Sequence, residues 1–532
     1  MRRSVVVAVV AALGAVSVVA PASGVVLCHG HGGSEVADYN GDGVGDLAIG
    51  VPQHNGEEAF GPGAVWVLYG ASATGLNGAS AERWTQNRGG VPDENEHGDG
   101  FGSAVAAGDF NGDGYCDLAI GVPYEDVADK SNAGLVNVLY GSPLGLRGAG
   151  SQRFIEGVDG MNDDAEPGDL FGYSLAVGDF DGDGADDLAV GVLGEDVPRP
   201  TSGVAPEAGA AHIIYGSDAG LDPIHGGAPD QIWHQNQTGV FGTALGYDHF
   251  GQALAAGDFD NDDVDDLAIG VPGEDIAGVT DAGAVAILYG QSDTGLSGEH
   301  DGYWHQARSE IADEAEDSDQ FGMALAAGDL GNGPADDLVV GVPMENLGGI
   351  LDAGVVHVLY GAPPGGIGPE GDDLFWMGKA AVPPVPGAAG GDAQFGFALA
   401  VGDFDNNGTD DVAAGAPGSS TGGEVVVLYA DDLGVNTNAA DLWHQDRNGI
   451  QGASEPGDHF GAALGAGQFG EGGPFELAIG APDETVSGNV QGGAVTVLRG
   501  GIRGLTADDD FWHEDLFGDF GRDGARFGAT LR

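Results

Sequence analysis

Positive charge is almost missing from this chain. It has two lysines, and Lys and Arg together number 16 against 84 Asp and Glu, a formal net charge of −68 over 532 residues. Tracking a nucleic-acid backbone, or settling on an anionic membrane, needs basic side chains to neutralise phosphates, so both partners are excluded. Cysteine is scarce too: Cys28 and Cys116 allow one disulfide in an oxidising compartment, with two separate thiols as the equal alternative. Past the N-terminus no apolar run is long enough to read as a membrane span, and no stretch reads as a long helix.

The one long apolar run, Val5 to Ala20, follows Arg2 and Arg3 and ends in the small-residue pattern Ala20-Pro21-Ala22. That is the layout of a cleaved secretory signal peptide over residues 1–22, so a secreted, extracellular protein is expected. Residues 23–33 form an N-terminal segment. Its Cys28-His29-Gly30-His31 cluster reads as flexible chain in preference to a transition-metal site.

What is abundant is glycine, at 102 residues, and a 42% share of hydrophobic residues. Collagen's every-third glycine is absent, whereas Gly/Asp turns between short Val/Ile/Leu runs suit an all-β chain. One block recurs: FGSAVAAGDFNGDGYCDLAIGVP from Phe101, FGYSLAVGDFDGDGADDLAVGVL from Phe171, FGQALAAGDFDNDDVDDLAIGVP from Phe250 and FGFALAVGDFDNNGTDDVAAGAP from Phe395, with decayed copies from Phe321 and Phe460. The aspartate slots, Asp38, Asp109, Asp179, Asp258, Asp329, Asp403 and Gln468, lie 71, 70, 79, 71, 74 and 65 residues apart, giving seven units.

Each unit predicts four strands. The first runs from Phe-Gly to the aspartate, the second is of the Asp-Leu-Ala-Ile-Gly type, and the third resembles GAVWVLYG. The fourth lies around an aromatic such as Trp84, Trp233, Trp304, Trp443 or Trp512. Four-stranded units in a ring make a β-propeller, predicted here with seven blades over residues 34–532. The first unit lacks its Phe-Gly pair, which reappears at Phe527-Gly528. A C-terminal strand is therefore expected to complete the first blade and close the ring, where a solenoid would need a polar cap.

Between the first and second strands, Asp109, Asn111, Asp113 and Asp117 place oxygens at loop positions 1, 3, 5 and 9, with the Tyr115 carbonyl at position 7. A hard, large cation wants six or more oxygens at about 2.3–2.6 Å, and alternate residues of a tight turn can supply them. The equivalent sets are Asp38, Asn40, Asp42, Val44 and Asp46; Asp179, Asp181, Asp183, Ala185 and Asp187; Asp258, Asp260, Asp262, Val264 and Asp266; and Asp403, Asp405, Asn407, Thr409 and Asp411. About five structural calcium sites are predicted. Position 12 is apolar, which excludes an EF-hand. Asp263 stands where glycine is expected at position 6 and must adopt a left-handed conformation. The units at Asp329 and Gln468 lack ligands at positions 3 and 5 and should be metal-free.

Acidic pairs follow the second strand at Glu125-Asp126, Glu195-Asp196, Glu274-Asp275 and Asp483-Glu484, with Glu345-Asn346 a partial copy. They predict either a negative ring on one propeller face or hydrogen bonding within each blade. His234, His305, His444 and His513 follow the fourth-strand tryptophan and read as structural because they repeat.

The Phe-Gly pair, the D-x-[DN]-x-[DN] loop and the following Gly-x-Pro, as in Gly121-Val122-Pro123 and Gly270-Val271-Pro272, resemble the FG-GAP repeat family, which includes the propeller heads of integrin α chains. The resemblance implies calcium loops on the lower face and ligands on the upper one. No inserted adhesion domain or leg region is present, so an integrin-like heterodimer is not implied. No nucleophile elbow, His-Glu-x-x-His or phosphate loop occurs. The expectation is therefore a non-enzymatic binding or adhesion module for an extracellular protein or glycan. The alternative is a hydrolase or lyase acting on polysaccharide or phosphodiester with the propeller itself.

Overall fold

Alternating β-branched and small residues in each repeat build a four-stranded antiparallel sheet whose inner strands are covered on both faces. A computed structural model describes residues 6–9, 37–54, 61–72, 74–200, 202–224, 230–379, 384–436, 440–470, 473–518 and 524–531. Blade 2 is typical, with Ala104–Gly108, Asp117–Val122 and Leu135–Tyr140 buried throughout and Arg147–Phe154 half exposed at the rim. Blades 3 to 6 repeat the order, with first strands Phe171–Gly178, Leu254–Gly257, Ala324–Gly328 and Leu399–Gly402, and blade 7 starts at Ala463–Gly467. The seven-bladed all-β propeller is thus the observed fold. Among the described residues the one helical element is a 3-10 turn, Glu514–Phe517. The first strand begins at the Phe-Gly pair only in blade 3; in the other complete blades it starts later.

The ring closes as expected. Thr530–Leu531 pairs antiparallel with Leu47–Val51 of blade 1, matching Leu531 with Ile49 and Thr530 with Gly50. Val6–Val9, inside the segment read as a signal peptide, forms a strand between Ala463–Gly467 and Thr530–Leu531, which joins blades 7 and 1 in one sheet.

Two sets of backbone hydrogen bonds tie each blade to the next. At the Phe-Gly end, the N–H groups of Phe171, Phe250, Phe321, Phe395 and Phe460 donate to the preceding blade's Ala133, Ala208, Ala282, Ala353 and Gly422 carbonyls at 2.8–3.0 Å. Phe101 donates to Pro62 at 3.1 Å, and Phe527 completes the circle with Gly492 at 3.0 Å. Each of these phenylalanines is fully buried. The glycine that follows must be glycine: at Gly172, φ is +85° and a Cβ would lie 2.8 Å from the Leu135 carbonyl oxygen of the neighbouring blade.

At the loop end, the N–H at position 8 donates to the position-1 carbonyl of the blade before. Cys116 donates to Asp38, Asp186 to Asp109, Asp265 to Asp179, Asp336 to Asp258, Asp410 to Asp329 and Phe475 to Asp403, at 2.8–3.1 Å. Gly45 to Gln468 at 2.7 Å closes this second circle.

Phe527→Ala tests the closure. The side chain is five residues from the last one, yet its removal from a packed inter-blade site is expected to cost about 3–5 kcal/mol in denaturant unfolding. A value within about 0.5 kcal/mol, normal for a frayed end, would contradict a closed ring.

Candidate metal centres

The position-1 aspartate organises each acidic loop by gathering its backbone. Asp109 accepts the Asp113 and Gly114 N–H groups at 3.0 and 2.8 Å, and Asp179 those of Asp183 and Gly184 at 3.1 and 3.0 Å. Asp38, Asp258 and Asp403 do the same in their loops. The position-5 side chain then fixes position 7: Asp42 accepts from Val44, Asp113 from Tyr115, Asp183 from Ala185, Asp262 from Val264 and Asn407 from Thr409, at 2.8–3.1 Å. Asp263 has φ +75°, beside +83° to +95° for the glycines at that position in the other four loops, so it takes the left-handed turn the sequence required.

Carboxylates converge in these loops. One oxygen each of Asp179, Asp181 and Asp187 lie within 4.8 Å of one another, as do oxygens of Asp258, Asp260 and Asp262. Asp260 Oδ1 is buried with no hydrogen-bond partner. An all-oxygen set with an unsatisfied buried lone pair fits a hard cation. The charge cost points the same way: burial and then the neighbouring loop acids push Asp187 and Asp266 well above the carboxylate range, and Asp179 and Asp260 up to about 6.

The position-9 aspartate has a second duty that the sequence did not reveal. Asp117 accepts the Phe110 N–H at 3.1 Å and the Gly141 N–H at 2.8 Å, which pins the loop to the end of the third strand. Asp46, Asp187, Asp266 and Asp411 make the same two bonds. So does Asp337 in blade 5, at 3.0 and 2.8 Å, although its loop has lost positions 3 and 5. Position 8 was also missed: the Asp186, Asp265 and Asp336 carboxylates accept the position-1 N–H of the preceding blade at 2.7–3.1 Å. Cys116 holds that place in blade 2, where its Sγ accepts from Asp38 at 3.1 Å. Cys116 is disulfide-bonded, and the chain's other cysteine, Cys28, lies outside the described residues with the cluster around it.

On the opposite face the acidic pairs do not form an exposed ring. Their first residues are buried between blades, and three are clasped by a glutamine of the blade before: Gln86 donates to Glu125 at 2.7 Å, Gln235 to Glu274 at 2.5 Å and Gln306 to Glu345 at 2.8 Å. In blade 7 it is the second residue, with Gln445 donating to Glu484 at 2.5 Å. Asp126, Asp196, Asp275 and Asn346 accept loop N–H groups within their own blades, as the within-blade alternative predicted. Burial lowers the pKa of His234, His305 and His513, which suits neutral, structural imidazoles.

The FG-GAP repeat family model matches residues 34–68, 101–139, 171–214, 250–288 and 395–428, the five units with complete loops. Integrin alpha-PS2 of Drosophila melanogaster is 30% identical over 263 residues, 48% of this chain and 16% of that protein. Phosphatidylinositol-glycan-specific phospholipase D of Mus musculus is 34% identical over 154 residues, 29% of this chain and 17% of that protein. Integrin alpha-8 of Mus musculus is 36% identical over 170 residues, 30% of this chain and 14% of that protein. The chain thus spans about a sixth of the length of these relatives.

Burial raises the buried acids on both faces: Asp179 and Asp99 to about 6, Glu484 to about 7, and Glu125 and Glu345 to about 8. Folded values above the unfolded ones mean that the native chain holds more protons than the unfolded chain from about pH 4 to about pH 8. Stability in chelator is therefore lost as pH rises through that window. Melting temperature is expected to fall between pH 5 and pH 8 in metal-free buffer, and a rise would contradict the assignment.

Proposed function

The chain is an FG-GAP repeat protein, and on that premise we propose that it is a secreted, calcium-stabilised propeller that binds an extracellular protein or glycan without catalysing a reaction. In this reading residues 1–22 are removed on export, and the ring is held by the remaining strands and the two hydrogen-bonded circles. About five calcium ions occupy the loops at Asp38, Asp109, Asp179, Asp258 and Asp403. The loops of blades 5 and 7 stay empty and keep their shape through the blade-to-blade backbone bonds. Calcium would neutralise acids that burial leaves under strain, so its work is structural.

The observation that carries the binding reading is on the face opposite these loops. Where blades 3 and 4 meet, Phe241, Leu245 and Tyr247 are 59%, 41% and 56% exposed on one connecting loop, and Val204 is 48% exposed in the short hairpin strand Val204–Ala205. Large apolar side chains presented by loops on a rigid, otherwise acidic scaffold suit a ligand contact. Similarity to proteins named as integrins supports the same reading.

Retention of partners from the native extracellular milieu is expected to require calcium and to drop at least tenfold in a Phe241→Ala/Tyr247→Ala double variant that melts like the parent. Unchanged retention would refute the surface. Similarity to a protein named as a phospholipase D supports the second reading, a propeller-based hydrolase or lyase. Sustained turnover of a polysaccharide or phosphodiester by purified protein would replace binding with catalysis.

Calcium is expected to raise the melting temperature by several degrees. Asp183→Ala should reduce that gain, whereas Asp337→Ala should lower the melting temperature equally with and without calcium. A calcium-dependent loss at Asp337 would overturn the division between ligating and structural acids.

A further inference from the structure

The clasp between blades pairs the residue two past the fourth-strand aromatic with the residue three past the next blade's second strand. Four interfaces use Gln with Glu. Between blades 7 and 1 the pair is Glu514 with His54, at 2.8 Å, and the Trp66 indole N–H also donates to Glu514 at 3.1 Å. Between blades 5 and 6 it is Met377 and Ser419. Between blades 2 and 3 both members are acidic, Glu156 and Glu195.

That exception sits beside a third carboxylate. The aspartate two residues before the Phe of the Phe-Gly pair caps a loop N–H in most blades. In blade 3 it is Asp169, whose Oδ2 accepts from Glu166. Glu156, Asp169 and Glu195 each bring one oxygen within 4.8 Å of the others, and they are 2%, 2% and 6% exposed. Glu156 Oε1 meets His212 Nε2 at 3.1 Å, while its Oε2 is buried with no hydrogen-bond partner.

His212 is fully buried, and its Nδ1 is 2.5 Å from Asp230, so both ring nitrogens are taken. Asp163 and Glu166 bring further negative charge beside Asp169, and Asp163 does so beside Glu195.

We propose that Glu156, Asp169 and Glu195 form an additional site for a hard divalent cation such as calcium, clamping blade 2 to blade 3 on the face opposite the repeat loops. The donors are all carboxylate oxygens, which select a hard ion, and the engaged imidazole cannot offer a softer nitrogen. Where four other interfaces close with an amide donor, this one closes through the ion.

The test counts calcium by equilibrium dialysis on the full-length chain, its Glu156→Gln variant and, as a second arm, Asp169→Asn. Glu156→Gln installs the amide that four other interfaces already use, so it is expected to fold. Both variants are expected to bind one calcium fewer than the parent, whatever number the repeat loops hold. Glu156→Gln should also melt above the parent in chelator and gain less from added calcium. Equal stoichiometry in parent and variants overturns the site. So does a change confined to the pH dependence of melting, which would mean that a shared proton closes this interface in place of a cation.

Discussion

The propeller depends on one backbone hydrogen bond repeated around the ring, from the N–H at loop position 8 to the position-1 carbonyl of the blade before. A buried amide left unpaired costs more than a paired one contributes, so every loop must hold position 8 at the same height and angle. Conserving that geometry explains much of the acid in the sequence. The position-1 carboxylate gathers the turn, the position-9 carboxylate ties it to the third strand, and three position-8 carboxylates return a bond to the preceding blade. The loop is a structural joint first, and its capacity for a cation is built on the joint.

This order explains how blade 5 can lose two ligand positions without losing its place. Gly331 and Gly333 supply no side-chain oxygen, yet Asp337 still takes the Leu330 and Gly361 N–H groups and Asp336 still reaches back to Asp258. Blade 7 goes further, with Gln468 at position 1 and Phe475 at position 8. Phe475 packs against Gly402 where an aspartate packs in other blades, and the backbone bond to Asp403 persists at 2.9 Å. The joint therefore tolerates loss of charge but not of backbone geometry.

The ring, its seven members and its closure were legible because they rest on patterns with a fixed period: Phe-Gly, the aspartate slot and the displaced Phe527-Gly528. The loop ligands were legible from the chemistry of alternating oxygens. The inter-blade contacts were not, because they join residues far apart in sequence whose types carry no local signal. Gln86 looks like any polar residue after a strand until Glu125 is placed against it. The tyrosine that ends the third strand carries no local signal of its role, yet the Tyr69, Tyr140, Tyr215, Tyr360 and Tyr429 hydroxyls each accept a backbone N–H from the next blade at 2.9–3.2 Å. A constant spacing of 39 residues between Gln and Glu was the one signal that could have found the clasps.

Repetition also gives departures from the pattern a meaning. Seven near-copies of one interface form an internal comparison in which fold, solvent and neighbours are held nearly constant, so a changed residue reports a changed local requirement. A Gln/Glu clasp balances a buried carboxylate with an amide donor. Glu514 with His54 keeps a donor on one side, and Met377 with Ser419 removes the charge altogether. Each meets the same burial cost without a second acid, although the clasping glutamines leave their own amide oxygens buried without a donor. Glu156 with Glu195 adds a charge where every other interface supplies a donor or dispenses with the acid. His212 answers for part of that charge through Glu156 and Asp230, as His357 answers Asp372 in blade 5, where Gln306 already clasps Glu345. What distinguishes the interface of blades 2 and 3 is that the same histidine must serve a Glu where blade 5 has the amide, and that one oxygen of that carboxylate is then buried with no donor from the protein.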